Sequence, residues 1–253
     1  MSKRPGPAGW RKMSEITFVY KGRYWLREAN TIELLSAIAR KAGWDTSLIF
    51  DEDLFGVSDN VFSWPALNRL IDPPSRYISA AAKASGYVVF LPGAAGPDWA
   101  RRVAAGLKRA GSKARTVLMV PFGEADESGF DHVLRGEAEP AFGLFLDVAA
   151  AGAPPPGLRT GSLADLDELP PPDRSIFEKH MDFSLSCMVH ASRGCRGACT
   201  YCGETAAAAA LGPGYFRRRS VGGLMSELGQ LKSRYAPREI IFKDAVFTDD
   251  RGA

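Results

Sequence analysis

Short runs of apolar residues alternate with longer amphipathic stretches over the first 149 residues of the chain. The runs predict five β-strands, at residues 16–20, 46–50, 87–91, 116–120 and 131–134. In the amphipathic stretches apolar side chains recur every three to four positions, which predicts helices at residues 31–42, 76–85, 98–110 and 139–149.

Strands that alternate with helices predict an α/β domain in which helices cover both faces of a parallel sheet. The run at residues 87–91 is apolar throughout, as is typical of a strand buried on both faces. We therefore expect a Rossmann-like (flavodoxin-like) doubly wound sheet. Ligands of such sheets bind at the carboxyl ends of the strands, so the loops after Tyr20, Leu91 and Val120 are candidate binding loops.

Proline and glycine mark a boundary between two parts of the chain, with one cluster at residues 150–157 and another at 170–172. We expect the following division: a flexible lead-in at 1–13, a first domain at 14–149, a linker at 150–180 and a second domain at 181–253. In the second domain the pattern predicts, in order, a strand at 184–190, a cysteine-rich loop, a helix at 221–235 and a strand at 239–242.

Composition narrows the classes of function. Hydrophobic residues make up 45% of the chain, charged residues 24%, and the formal net charge is +3. This is the balance of a soluble globular protein, and it does not favour binding to nucleic acid. No apolar run is long enough to cross a membrane, and the basic N-terminus lacks the apolar segment of a secretory signal. We therefore expect a cytoplasmic protein with reduced cysteines and no membrane partner.

Three of the four cysteines, Cys195, Cys199 and Cys202, fall within one short loop. Their C-x₃-C-x₂-C spacing directly follows a predicted strand and can hold three corners of a cubane iron–sulfur cluster, which leaves one iron without a protein ligand. A structural zinc site is the alternative, and His190 or Cys187 would then have to supply the fourth ligand. For Cys187, a buried thiol on the approaching strand fits better than a metal ligand.

The cysteine motif resembles that of the radical S-adenosylmethionine superfamily, whose members carry it after the first strand of a partial TIM-type βα barrel. Tyr201 occupies the aromatic position before the last cysteine of that motif. The resemblance implies a [4Fe-4S] cluster that binds S-adenosylmethionine and cleaves it reductively, with a flavodoxin or ferredoxin as electron donor. Many members carry Gly-Gly-Glu after the second strand. Asp244 stands there in this sequence, and we expect it to contact the amino group of the cosubstrate.

The first half of the chain also resembles the cobalamin-binding domains that are fused to radical S-adenosylmethionine barrels. Residues 131–139 resemble a segment at the end of those domains, and residues 165–173 resemble the motif that joins the two domains. The resemblance implies that Gly136 and Glu137 contact cobalamin. A turn glycine and a carboxylate favoured at a helix N-terminus are the alternatives for these two residues.

Glycines in the other binding loops, Gly93 and Gly123, would let a bulky corrin approach the backbone, although turn glycines are an equal alternative. Many cobalamin domains carry a cobalt-binding histidine after the first strand. The loop after Tyr20 has none, and His132 fits a surface or capped histidine better than a ligand. Cobalt without a histidine ligand is expected of the methyl-transferring members of the resembling family.

These patterns lead to one expectation, a cobalamin-dependent radical S-adenosylmethionine methyltransferase that acts on an unactivated centre of a small-molecule substrate. The alternatives are a ring-forming or rearranging radical enzyme and a non-catalytic cofactor-binding fragment. A barrel in the resembling family needs about six βα units of roughly 30 residues each. After the cysteine loop only one helix and one strand are predicted before residue 253, so we expect the barrel to be truncated and the chain to be an incomplete enzyme.

Overall fold

Six parallel strands form the main sheet of this computed structural model, which describes residues 15–22, 24–51, 75–84, 86–92, 96–121, 123, 125–152 and 154–248. The expected lead-in at 1–13 and Gly93 lie outside the described residues. The strands are β1 (Glu15–Lys21), β2 (Asp45–Asp51), β3 (Tyr87–Phe90), β4 (Arg115–Val120), β5 (His132–Arg135) and β6 (Gly157–Arg159). Their order across the sheet is β2-β1-β3-β4-β5-β6, and each neighbouring pair is parallel.

Helices cover both faces of this sheet, as expected for a doubly wound fold. They are α1 (Arg27–Lys41), α2 (Ser75–Ala81), α3 (Gly96–Arg109) and α4 (Ala138–Ala150). Helices α1 and α4 pack into one apolar cluster and α2 and α3 into another. Successive strand residues point to opposite faces, so Phe18 and Tyr20 join the first cluster while Val19 joins the second. The predicted fold class is confirmed.

A second, two-stranded parallel sheet carries the cysteine loop. It pairs β7 (Ser186–Val189) with β10 (Glu239–Phe242). Between them lie β8 (Ser192–Arg193), α5 (Gly203–Leu211), β9 (Arg217–Arg218) and α6 (Val221–Arg234), and β8 pairs with β9 in antiparallel fashion. Phe177, Met188 and Leu231 from this part of the chain belong to the same apolar cluster as α1 and α4. The two sheets therefore share one continuous core.

Several elements were not predicted, among them the short strands β8 and β9. Strand β6 lies inside the segment expected to be a linker, and α5 follows the cysteines directly. The proline-rich run before β6 fits at a sheet edge because only one side of an edge strand must hydrogen-bond. Val133 N–H donates to Pro156 O at 2.8 Å, and Thr160 N–H donates to Arg135 O at 3.0 Å.

Within the described residues, the helices are all too short or too polar to cross a membrane.

A buried ionic cluster joins α1, a short 3-10 helix at Arg174–Phe177, and α6. Arg174 donates to Glu227 Oε1 at 2.6 Å and to the carbonyl oxygen of Met188 at 2.7 Å. Glu33 is fully buried and accepts a 2.7 Å hydrogen bond from the Tyr24 hydroxyl. Burial raises the pKa of Glu33, while the nearby Arg174 guanidinium opposes that rise. Pairing these charges is what allows them to be buried between the two parts of the chain.

Gly136, between β5 and α4, has a φ of +105°, where L side chains are strained, and an added Cβ would overlap the carbonyl oxygen of Thr160. We expect Gly136→Ala to lower the free energy of unfolding by about 1–3 kcal/mol, measured by urea denaturation. Gly143→Ala in α4 is the control, because nothing lies within 4 Å of its added Cβ and alanine favours a helix. Equal stability of the two variants would contradict this account of the turn.

Candidate functional site

A cavity of about 580 Å³ lies between the carboxyl edge of the main sheet and the cysteine loop. Leu91 and Met119 line it from β3 and β4, where the binding loops were predicted. Glu137 lines it from the start of α4, and Cys202 and Glu204 line it from the opposite side. Its volume falls within the range of about 300–1,000 Å³ that is usual for small-molecule and cofactor sites. Residues from both halves of the chain therefore enclose one candidate site.

Arg193 joins the cysteine loop to the sheet. Its guanidinium binds both oxygens of Glu139, at 2.9 and 2.7 Å, and Glu137 Oε1 at 2.7 Å. Glu137 and Glu139 are almost fully buried, and Arg193 is 13% exposed in its side chain. A planar guanidinium that binds a carboxylate through two parallel hydrogen bonds fixes direction as well as distance. Arg193 lies two residues before Cys195, so this pairing sets where the loop begins.

Arg217, on β9, approaches the same Glu137 carboxylate from the other side. Its Nη1 donates to Glu137 Oε2 at 2.8 Å and to the carbonyl oxygen of Ala164 at 2.7 Å. The backbone N–H of Ala164 also donates to Glu137. Burial alone would raise the pKa of Glu137, but hydrogen bonds from Arg217 and the charge of Arg193 outweigh it and hold that pKa at about 2. Glu137 is therefore ionised at every physiological pH.

A third group of polar side chains closes the rim of the cavity. Arg27, at the start of α1, donates to Glu204 Oε1 at 3.0 Å and to the Tyr215 hydroxyl at 3.1 Å. The Tyr215 hydroxyl in turn donates to Glu204 Oε2 at 2.9 Å. These contacts tie α1 of the main sheet to α5 of the cysteine region. Nothing in the sequence marked Arg27 as their partner, since it lies 177 residues from Glu204 and 188 from Tyr215.

The three predicted cysteines lie on one loop as free thiols. Cys199 is exposed, and Cys195 and Cys202 are half-buried. Gly197 N–H donates to Cys195 Sγ at 3.2 Å, and an added Cβ at Gly197 would lie 3.3 Å from Cys195 Sγ and 3.9 Å from Cys199 Sγ. Glycine thus keeps the space beside two sulfurs clear. Cys202 caps the N-terminus of α5, whose dipole favours negative charge.

Among the described residues, no three His, Cys, Asp or Glu side chains are gathered closely enough to hold a single metal ion. The fourth cysteine, Cys187, is buried on β7, and its thiol donates to the carbonyl oxygen of Phe183 at 3.4 Å. Burial raises the pKa of Cys187, which disfavours the thiolate that zinc requires. A cubane cluster places fewer demands on the loop, because each cysteine binds a different iron atom. The donor set therefore fits a cluster better than zinc.

Asp244 lies beside the loop, but its carboxylate is engaged locally. It accepts hydrogen bonds from the backbone N–H of Ala191, at 3.2 Å, and from the backbone N–H and hydroxyl of Ser192. Asp244 therefore holds the end of β7 against the end of β10. This role was not anticipated, and its expected contact with a cosubstrate amino group stays a prediction.

Of the remaining predicted residues within the described part of the chain, Glu137 lines the cavity, whereas Tyr201, Gly123 and Gly136 are not among its lining residues. Tyr201 is 91% exposed. Gly123 has a φ of +78° after β4, and its carbonyl oxygen accepts a 3.1 Å hydrogen bond from Arg135. Gly136 makes the turn that leads into Glu137, as described above. The proposed cofactor contacts of Tyr201, Gly123, Gly136 and Glu137 stay predictions.

The described histidines lie outside the main cavity. His132 is buried at the start of β5, with Nδ1 2.8 Å from the carbonyl oxygen of Pro155. It is therefore a capped histidine, but not a surface one. His180 packs edge-on against Phe50, with 5.2 Å between ring centroids, and His190 lies at the carboxyl end of β7.

The fold is similar to that of a radical S-adenosylmethionine methyltransferase, TsrM, from Kitasatospora setae. With the structure that holds tryptophan substrate and the analogue aza-SAM, the TM-score is 0.53 at 11% identity, over 92% of this chain and 48% of that chain. With the structure that holds cobalamin and a [4Fe-4S] cluster, the TM-score is 0.52 at 11% identity, over the same shares. This chain thus spans about half the length of TsrM, and the likeness shows a shared fold.

A third similarity, to a 3-dehydroquinate dehydratase-like protein from Bifidobacterium longum, has a TM-score of only 0.35 and supports no inference. No protein-family model and no curated protein matches the sequence. The comparison with TsrM therefore bears on the arrangement of strands, and the residues of the site carry the functional argument.

Because the pKa of Glu137 is low in the folded state, the free energy of unfolding should depend on pH in the acid range. A depressed carboxylate pKa stabilises the folded state fully above the unfolded value of about 4.3, and this contribution is lost as the pH falls to about 2. We expect wild type to lose ~3 kcal/mol more than Glu137→Gln between pH 5 and pH 2, measured by urea denaturation at each pH. Exposed Glu168→Gln is the control and should follow wild type. Parallel pH curves for wild type and Glu137→Gln would refute the linkage.

Proposed function

We propose that this chain belongs to a cobalamin-dependent radical S-adenosylmethionine methyltransferase that acts on an unactivated carbon or phosphorus of a small molecule. The single observation that carries the proposal is the cavity that the carboxyl edge of a doubly wound sheet shares with Arg193 and Cys202, which flank the three-cysteine loop at its start and end. The sheet edge is the usual ligand position in such folds. A redox cluster and a second cofactor would therefore face each other across one enclosed space.

In this proposal Cys195, Cys199 and Cys202 are the cluster ligands, and their exposed and half-buried thiols are open to iron. When bound, the cluster would supply the electron that cleaves S-adenosylmethionine, and cobalamin would carry the methyl group. Gly197 leaves room beside the sulfurs and donates its N–H to Cys195 Sγ. Such hydrogen bonds to cluster sulfurs are one way in which proteins adjust cluster potential.

Apolar residues of the sheet edge would contact the corrin. Leu91, Pro92, Met119 and Pro121 line the cavity there, and Gly93 and Gly123 belong to the same two loops. Arg193 would hold the cluster loop at a fixed distance from this edge through its contacts with Glu137 and Glu139. The protein's part in the reaction is thus to orient two cofactors and to exclude water between them.

An electron donor is the partner that this chemistry requires. Cys199 and Tyr201 are exposed on the outer side of the loop, which supports reduction of the cluster from solvent by a flavodoxin or ferredoxin. Distance governs electron transfer, so the donor must approach this face. The division into a cofactor domain at 14–149 and a cluster domain at 181–253 fits the same proposal.

The cysteines can be tested one at a time. We expect Cys195→Ala, Cys199→Ala and Cys202→Ala each to lose most of the iron and sulfide that the wild-type chain holds after anaerobic reconstitution, because three thiolates are needed to retain the cluster. Iron and sulfide analysis and the brown absorbance are the measurements. Cys187→Ala is the matched control and should keep its cluster, since that thiol is buried away from the loop. Stoichiometric zinc without sulfide in wild type would refute the cluster.

Cobalamin binding can be tested by narrowing the cavity. Leu211 lines it at the end of α5, whereas Ala210 is exposed beside it. We expect Leu211→Trp to weaken cobalamin binding about tenfold, or ~1.4 kcal/mol, and Ala210→Trp to leave it unchanged. Equilibrium dialysis gives the affinity, and the spectrum of bound cob(II)alamin should lack a signal from a histidine nitrogen. Failure to bind any corrinoid would contradict cobalamin binding. A nitrogen signal that is present in wild type and lost in His132→Gln would contradict the absence of a histidine ligand to cobalt.

A further inference from the structure

Strand β10 of the smaller sheet has an open edge. Among the described residues β10 pairs with β7 alone, so the edge that faces away from β7 has no strand beside it. The strand reads Glu-Ile-Ile-Phe, and isoleucine and phenylalanine both favour strands. Phe242 is 37% exposed, and its ring centroid lies 4.9 Å from that of Phe247, which is 56% exposed. An open edge with exposed apolar side chains is a template for a further strand.

The hydrogen bonds to β7 determine which backbone groups of β10 reach the open edge. Glu239 N–H donates to the carbonyl oxygen of Leu185 at 3.1 Å, and Lys243 N–H also donates to β7, at 3.0 Å. In a parallel ladder every second residue bonds to the same neighbour, so the residues between these two alternate in direction. Ile240 and Phe242 therefore direct their N–H and carbonyl groups outward, where a partner strand can bind them.

The charges in and around β10 are arranged so that the segment complements a reversed copy of itself. Residues 238–244 read Arg-Glu-Ile-Ile-Phe-Lys-Asp, so a basic and an acidic residue flank the apolar centre on each side. When two such segments run antiparallel about Ile241, every basic residue lies opposite an acidic one. Glu239 and Lys243, which form one of these pairs, are both exposed. Since opposite charges in facing positions stabilise antiparallel strands, the pattern favours a second copy of this chain as the partner.

Pairing about Ile241 also matches the directions of the backbone groups. Ile240 would lie opposite the partner's Phe242, and because both direct N–H and carbonyl groups outward, they would form a hydrogen-bonded pair. Glu239 would lie opposite the partner's Lys243 in a non-hydrogen-bonded pair, where facing side chains are closer together. A shift of the axis by half a residue would break these hydrogen bonds, and a shift by one residue would separate the opposite charges. One register therefore satisfies both requirements.

We propose that the chain forms a two-fold symmetric dimer in which the β10 strands of two copies pair antiparallel, with Ile241 on the symmetry axis. The smaller sheets of the two copies then join into one sheet. Such an interface uses the same surface on both subunits and closes after two copies, because each open edge covers the other. The contact of Ile240 with the partner's Phe242 adds a pair of a β-branched and an aromatic residue, which is favourable between strands. The proposal is independent of the cofactors, since it uses only β10 and the residues next to it.

Charge reversal tests this register in the full chain. We expect wild type to dimerise in sedimentation equilibrium, with a reductant present so that the exposed Cys199 forms no cross-link. Glu239→Lys and Lys243→Glu should each weaken the dimer about tenfold, because each places like charges opposite one another in both symmetric pairs. An equimolar mixture of the two variants should regain the wild-type affinity, because every facing pair in the mixed dimer again joins opposite charges. The double variant should regain it for the same reason.

Lys232→Glu, on the exposed face of α6, is the matched control. It changes the net charge by as much as Lys243→Glu does and should dimerise like wild type, and circular dichroism checks that each variant is folded. A monomer at every concentration measured, or assemblies larger than a dimer, would overturn the proposal. So would wild-type affinity in Lys243→Glu, or a mixture that associates no more tightly than its two components.

Discussion

Two glutamates and two arginines, largely removed from water, meet where the cysteine loop reaches the sheet, and the arrangement of the site depends on their pairing. Glu137 is shared by Arg193 and Arg217, and Glu139 binds Arg193 through both oxygens. Buried pairs of this kind add little net stability compared with apolar residues, but losing one partner leaves a buried charge and costs about 3–5 kcal/mol. The pairing therefore acts as a geometric constraint, since the docked loop pairs all four charges.

The carboxyl ends of the strands in the two parallel sheets lie toward the same space. In the main sheet, β3 and β4 end at the large cavity, and in the smaller sheet β7 ends at the cysteine loop. Asp244 keeps the smaller sheet in register at that end by accepting hydrogen bonds from Ala191 and Ser192. Each sheet thus contributes one wall, and the ionic contacts between them set the width of the space. Neither half of the chain would form the site alone.

Much of this fold was predictable because its central strands β1, β3 and β4 are buried on both faces and are rich in apolar residues, as at residues 87–91. Strand β6 was missed because it is short, lies at the sheet edge and follows three prolines, all of which weaken an apolar signal. The cysteine loop could be recognised in the sequence because its three cysteines lie close together along the chain. Arg193 could not be recognised, because its partners lie on another element, and the basic run at 217–219 fits a solvated face as well as a functional role.

The spacing of those ionic contacts along the chain also has a kinetic consequence. Arg193 and Glu139 are 54 residues apart, and Arg217 and Glu137 are 80 apart. Contacts between distant residues form slowly, because the intervening chain must first lose its freedom. During synthesis the main sheet can fold before residue 217 has left the ribosome. The ion pair between Arg217 and Glu137 cannot form until then. A ligand can therefore enter a completed site only late, after the loop has docked.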